Sequence, residues 1–197
     1  MRPDSLRTLV ATLGALCVWL GASGAFAQDP EPRWLDIDRS RVTLRILGPD
    51  GSEALIIDAP LTEGSVEETE PPHLALVIDV AGLRVVEDEP TADQGQAVLD
   101  RLIGPNGLNG ERYTRVTYHS LTIEEPGQNV WVIRGELEMN GRFLPLDARA
   151  VRDGDRFTGS ARLVPADFGV MPMPLGPDDG PVGQAVEVEF DVVLEPR

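Results

Sequence analysis

Towards its C-terminus the chain alternates almost without a break. Val186, Val188, Phe190, Val192 and Leu194 fall between Glu187, Glu189, Asp191, Val193 and Glu195. A period of two puts each set of side chains on its own face of an extended strand, so this segment has a dry face and a largely charged one. Val42, Leu44 and Ile46 repeat the pattern between Arg41, Thr43 and Arg45, and Leu74, Leu76, Ile78 and Val80 repeat it again. Strong turn signals separate such runs: Gly48-Pro49-Asp50-Gly51, Pro126-Gly127, Asn140-Gly141 and Asp153-Gly154-Asp155. Asn-Gly is the clearest of these, because both residues tolerate the positive φ that a tight hairpin requires. The spacing predicts strands at 34–47, 54–59, 64–68, 74–80, 114–124, 129–139, 142–151, 156–164 and 184–195, with Pro60 either ending the second or placing it at an edge. One helix is predicted over 92–103, capped by Thr91, with Ala97, Val98 and Ile103 apolar and Gly95 working against it. Residues 104–110 and 171–183 are rich in glycine and proline and read as loops. The fold class is therefore all-β, an antiparallel barrel or sandwich of about eight strands with one short helix in one domain.

Residues 1–27 read as a cleaved export signal. Arg2 and Arg7 precede an apolar run at 9–20 that is short for a membrane span, and Ala25-Phe26-Ala27 fits a small-x-small cleavage site. The one cysteine, Cys17, lies in that segment, so the exported chain is expected to contain no disulfide and no thiolate chemistry. Residues 28–33 form a short linker and 34–197 the folded domain. Hydrophobic residues make up 42% of the sequence, enough for a packed core. Acidic residues outnumber basic ones 33 to 17, for a net charge of −16, and such a surface repels a phosphate backbone, so nucleic acid is not an expected partner. Every basic residue is arginine, which removes lysine Schiff-base and P-loop chemistry.

Catalytic patterns are weak. His73 and His119 are too few for a metal site, Asp178-Asp179 lacks the alternating oxygens of a calcium loop, and no Gly-x-Ser-x-Gly elbow occurs. Ser120 and His119 are strand neighbours and point to opposite faces, so they cannot form a nucleophile–base pair. Glu136 and Glu138 share a face and read as outward charges. The chain is not expected to be an enzyme or to hold a metal or cofactor.

Six segments, in order, resemble the YceI-like family. They are Trp34-Leu-Asp-Ile-Asp-Arg-Ser-Arg-Val42, Val77-Ile-Asp-Val-Ala-Gly-Leu83, Tyr113-Thr-Arg-Val-Thr-Tyr-His-Ser120, Val132-Ile-Arg-Gly-Glu-Leu-Glu-Met-Asn-Gly141, Asp167-Phe-Gly-Val170 and Val182-Gly-Gln-Ala-Val186. The resemblance implies a lipocalin-like β-barrel, exported to the periplasm, whose apolar interior holds a polyisoprenoid or quinone-like tail. One face of each strand then points inward, and the expected wall is Val42, Leu44, Ile46, Leu76, Ile78, Trp131, Ile133, Leu137, Phe157, Leu163, Phe168, Val188 and Phe190. Met171 and Met173 read as a plain loop in preference to an apolar lid. The expected partner is an isoprenoid-tailed lipid, with a homodimer as the one protein assembly entertained. The alternative reading is a solid-core β-protein that acts through its acidic surface as a stress-related interaction or inhibitor protein.

Overall fold

The computed structural model describes residues 31–86, 92–174 and 180–197. The export signal at 1–27 with Cys17, the cap at Thr91 and the Asp178-Asp179 pair lie outside the described residues. Among the described residues there are thirteen strands: β1 Arg33–Trp34, β2 Arg41–Leu47, β3 Glu53–Asp58, β4 Leu61–Glu67, β5 His73–Asp79, β6 Arg84–Val85, β7 Arg115–Gly127, β8 Val130–Met139, β9 Arg142–Asp153, β10 Arg156–Leu163, β11 Met173–Pro174, β12 Pro181–Val182 and β13 Val186–Val193. One helix, α1 Ala92–Ile103, interrupts them and occupies the predicted range. Eleven strands form a single antiparallel sheet in the order β1-β4-β5-β7-β8-β9-β10-β13-β2-β3-β6.

That order simplifies once two bends are recognised. β1 and β2 are halves of one strand, broken by a turn in which the Asp36 carboxylate accepts a hydrogen bond from the Arg39 amide at 3.2 Å. β3 and β4 are halves of the next, bent at Ala59-Pro60 just past the rung from the Ala59 amide to the Val42 carbonyl at 2.9 Å. Proline suits the bend because no donor is needed there. β13 pairs with β2, and its extension reaches the first half of the same strand through the Leu35–Leu194 bridge. The buried Ser40 hydroxyl accepts from the Val193 amide at 3.0 Å and fixes the bend against β13. The sheet thus curls back on itself as an antiparallel, lipocalin-like barrel, with β6 added at an edge and a separate β11–β12 ribbon.

Several local expectations are corrected. Residues 34–47 are not one straight strand, and the short strand expected at 64–68 begins at Leu61 as the continuation of β3. Pro126-Gly127 is not the turn: β7 runs through it with register shifts, and the chain reverses at Gln128-Asn129, where Asn129 takes φ 62°. The predicted Asn140-Gly141 hairpin is left-handed at both residues, φ 52° and 71°. The loop at 171–183 contains the β11–β12 ribbon, in which Met173 pairs with Val182.

The helix packs through Gly95, Val98 and Leu99, while Ala97 is exposed. Gly95 belongs there for closeness, since a Cβ at that position would lie 2.9 Å from Leu55 Cδ1. Leu55, Ile57, Val66, Val80 and Leu194 are the most fully buried large side chains. Each contributes about 1.5–3 kcal/mol of transfer free energy. Among the described residues no helix is long and apolar enough to cross a membrane.

Candidate ligand-binding site

Inward positions of the curled sheet surround a cavity of about 140 Å³. Every expected wall residue borders it except Ile46 and Phe168: Val42 and Leu44 from β2, Leu76 and Ile78 from β5, Trp131, Ile133 and Leu137 from β8, Phe157 and Leu163 from β10, and Val188 and Phe190 from β13. Ile46 keeps the inner face of β2 but is covered at that end, where it pairs with Leu55 and Val186. Phe168 is not on a strand. It ends a 3₁₀ turn at Pro165–Phe168 and is buried in the core, its carbonyl accepting from Asn140 Nδ2 at 3.1 Å. Neither Met171 nor Met173 borders the cavity.

Further wall residues lie at inward positions that the same periodicity marks but that were not singled out: Val66, Leu74, Val116, Tyr118, Met139, Leu146, Ala148, Ala150, Ala161 and Val192. Val80, Leu83 and Leu108, from the β5–β7 connection, close one end.

The space has an identifiable origin. Ala148 and Ala150 on β9 face Ala161 and Gly159 on β10, so four neighbouring inward positions carry a methyl group or nothing. Trp131 stands opposite Ala150, and Ile133 opposite Ala148. Gly159 lets the Phe190 ring lie directly on the β10 backbone: a Cβ there would sit 2.4 Å from Phe190 Cζ. Large side chains from β8 and β13 therefore lean over a floor of small ones, and the floor leaves the gap.

Polar atoms are turned away from it. The buried Tyr118 hydroxyl donates to the Leu146 carbonyl at 3.1 Å. Burial, with the Asp147 carboxylate adding to it, pushes the phenol up to about 12. The site offers apolar contact and no hydrogen bond from its walls.

At the end away from the helix the cavity meets charge. Trp131 and Phe157 pack edge-to-face there, their centroids 4.9 Å apart at 62°. The Arg152 guanidinium lies over both rings, 5.5 Å from the Trp131 centroid and 5.2 Å from that of Phe157. Arg152 also donates to Glu68 at 2.8 Å, Arg197 donates to the same carboxylate, and Arg33 donates to Asp155 at 2.9 Å. Burial raises the Glu68 pKa, but the hydrogen bonds from Arg152 and Arg197 outweigh it and hold the group below the usual carboxylate range. The Arg33 hydrogen bond lowers Asp155 likewise.

The histidines do not converge on a site. Both are exposed, His73 opposite Glu67 and His119 opposite Ala75. Ser120 is buried on the other face from His119 and accepts from the Leu74 amide at 2.8 Å. Among the described residues no group of three or more histidine, cysteine or acidic side chains is placed to hold a metal.

A YceI-like domain model matches residues 50–194. The chain belongs to the YceI-like family. Curated relatives include a UPF0312 protein of Shewanella baltica, 32% identical over 126 residues, which are 58% of this chain and 62% of that protein. A UPF0312 protein of Shewanella oneidensis is 31% identical over 57% of this chain and 61% of its own. The chain thus spans about three-fifths of these relatives' length. Among solved structures, a polyisoprenoid binding domain from Saccharophagus degradans, implicated in plant cell wall breakdown, superposes with a TM-score of 0.58 at 13% identity, covering 83% of this chain and 98% of that one. BcnA of Burkholderia cenocepacia gives a TM-score of 0.57 at 17% identity over 81% and 98%. At such identities the superpositions establish a shared fold.

Proposed function

We propose that this YceI-like protein is exported to the periplasm and binds there, without turnover, a lipid whose isoprenoid tail enters the barrel interior. The observation that carries this reading is the continuous apolar cavity. A solid core acting through its surface needs no such space, and the alanines at 148, 150 and 161 on β9 and β10 border it. The related domain from Saccharophagus degradans is described as polyisoprenoid binding, which supports the same ligand class. The segment at 1–27 supports export.

The energetics suit a tail. Each CH₂ removed from water contributes about 0.8 kcal/mol, so affinity can come from length alone, with no hydrogen bond from the wall. Volume sets the scale. A cavity of about 140 Å³ is close to the roughly 150 Å³ at which an engineered apolar cavity accepts benzene. The walls as they stand take one ring-sized or isoprene-sized group, and a longer tail must spread the half-buried Leu44, Leu74, Leu76 and Leu146.

Trp131 reports on occupancy because it forms part of the wall, whereas Trp34 is 54% exposed. In a Trp34→Phe protein without residues 1–27, quinones with short prenyl tails are expected to quench Trp131 fluorescence saturably at one ligand per chain. Affinity should rise by roughly tenfold or more for the first added isoprene unit and level off once the cavity is filled. Quenching that is linear and independent of tail length contradicts the reading.

A further inference from the structure

One ion pair runs straight across the open end of the barrel. Going round the wall, the bent strand β3–β4 is followed by β5, β7, β8, β9, β10, β13 and the bent strand β1–β2. From β4 to β9 the path therefore crosses β5, β7 and β8 in one direction, and β10, β13 and β1–β2 in the other. The two strands stand opposite each other. Glu68 directly follows β4, Arg152 is the last residue but one of β9, and Arg152 donates to Glu68 at 2.8 Å. A contact between opposite strands does not follow the sheet; it spans the opening. Arg33 of β1 adds a second bar by donating to Asp155 in the β9–β10 turn at 2.9 Å, and Arg197, beyond β13, donates to Glu68. The cavity lies directly beneath. The Arg152 guanidinium rests on Trp131 and Phe157, and both rings border the cavity. Val66 and Leu74 border it too, and they form the last rung but one of the β4–β5 hairpin before the turn that carries Glu68.

We propose that this crossbar is the gate of the barrel: the interior exchanges its ligand when Glu68 parts from Arg152 and the β4–β5 turn swings outward. The proposal rests on the tail-binding reading above and adds to it the route of exchange and its control. The rest of the enclosure is poorly suited to opening. Neighbouring strands round the wall are hydrogen-bonded to each other, and the far end is plugged by Leu83 and Leu108, both buried. Parting strands breaks ladder bonds, and lifting the plug exposes apolar surface to water. The crossbar costs less to open. The Glu68 and Arg152 side chains are 25% and 29% exposed, so each meets water on parting and no charge is left buried without a partner. Glu68 also lies outside the strands, on the turn between β4 and β5, so it can move without breaking the rungs behind it.

The test follows exchange of a short-tailed prenyl quinone by stopped-flow quenching of Trp131, in a Trp34→Phe chain without residues 1–27. Glu68→Gln keeps the shape of the side chain and removes its charge. It should raise the association and dissociation rates by the same factor, roughly tenfold, so that Kd stays within about twofold. Salt at about 1 M should speed both rates in the parent and leave those of Glu68→Gln nearly unchanged. The chain without residues 1–27 has no cysteine, so a Glu68→Cys, Arg152→Cys variant can be joined across the mouth with a short bismaleimide. Joining should slow both rates at least tenfold relative to the same variant left unjoined, a comparison that holds even if Glu68→Gln does not fold. Rates unchanged in Glu68→Gln, or exchange as fast in the joined chain as in the unjoined one, overturn the gate and leave the tail reading intact. A change in Kd carried by dissociation alone makes Glu68 a ligand contact and likewise overturns the gate. Absence of saturable quenching in the parent overturns the tail reading, and the gate with it.

Discussion

Leucine at both Ala148 and Ala161 is expected to abolish uptake of prenyl ligands while the barrel stays folded. The two alanines face each other across the β9–β10 pair, and both border the cavity. Each substitution pushes an isobutyl group into space that already exists, so the added atoms gain contacts without displacing neighbours. Filling about 140 Å³ in this way removes the volume that a tail would occupy. Affinity should fall by roughly 100-fold or more, the cost of leaving three or four CH₂ groups in water. Thermal stability should stay level or rise, because the change runs opposite to the cavity-creating substitutions that destabilise cores. Circular-dichroism melts beside quench titrations check both halves. A well-folded double variant that still binds as tightly as the parent places the ligand elsewhere.

The second large effect is on folding. Gly159→Ala is expected to destabilise the barrel by about 2–3 kcal/mol, the upper part of the overpacking range. A Cβ at this position would sit 2.1 Å from the Arg149 carbonyl oxygen and 2.4 Å from Phe190 Cζ. The carbonyl belongs to the strand backbone and cannot rotate away, and β10 is held on both sides, by β9 and by β13. Relief requires the Phe190 ring to leave the wall or the β9–β10 ladder to spread. At about 2–4 °C per kcal/mol for a chain of this size, the melting midpoint should drop by roughly 5–10 °C. Gly154→Ala is a useful contrast: it has open space around its Cβ position and only its φ of 61° to accommodate. A Gly159→Ala protein that melts with the parent means that the ring does not lie on that backbone.

These cases show where the sequence is informative. Strict alternation in residues 186–194 and 41–46 was enough to read two strands and their inward faces, because a half-buried strand cannot shift register without exposing its apolar set; that the two lie side by side came from the structure. The bends were not readable. Asp36, Ser40 and Pro60 look like ordinary polar and turn residues until β13 is known to lie alongside, with the Val193 amide waiting for the Ser40 hydroxyl. Pro174 and Pro181 argued against strands at 171–183, yet they pair at the edge of a two-strand ribbon, where missing donors cost little. The wall was largely legible and the void was not. Alanine and glycine at 148, 150, 159 and 161 become a floor only when β9 is laid beside β10. The charged end left no local signature at all, since Arg33, Glu68, Arg152, Asp155 and Arg197 come from four separate parts of the chain and meet only when the barrel closes.

The central claim is that the barrel interior carries an isoprenoid-tailed lipid. Native mass spectrometry of the protein purified from the cells that make it, before and after organic extraction, tests this most directly. The account predicts a single added mass per chain that extraction removes and whose fragments step down in isoprene units. A bare chain mass, with no adduct forming when prenyl quinones and polyprenyl lipids are supplied, contradicts it.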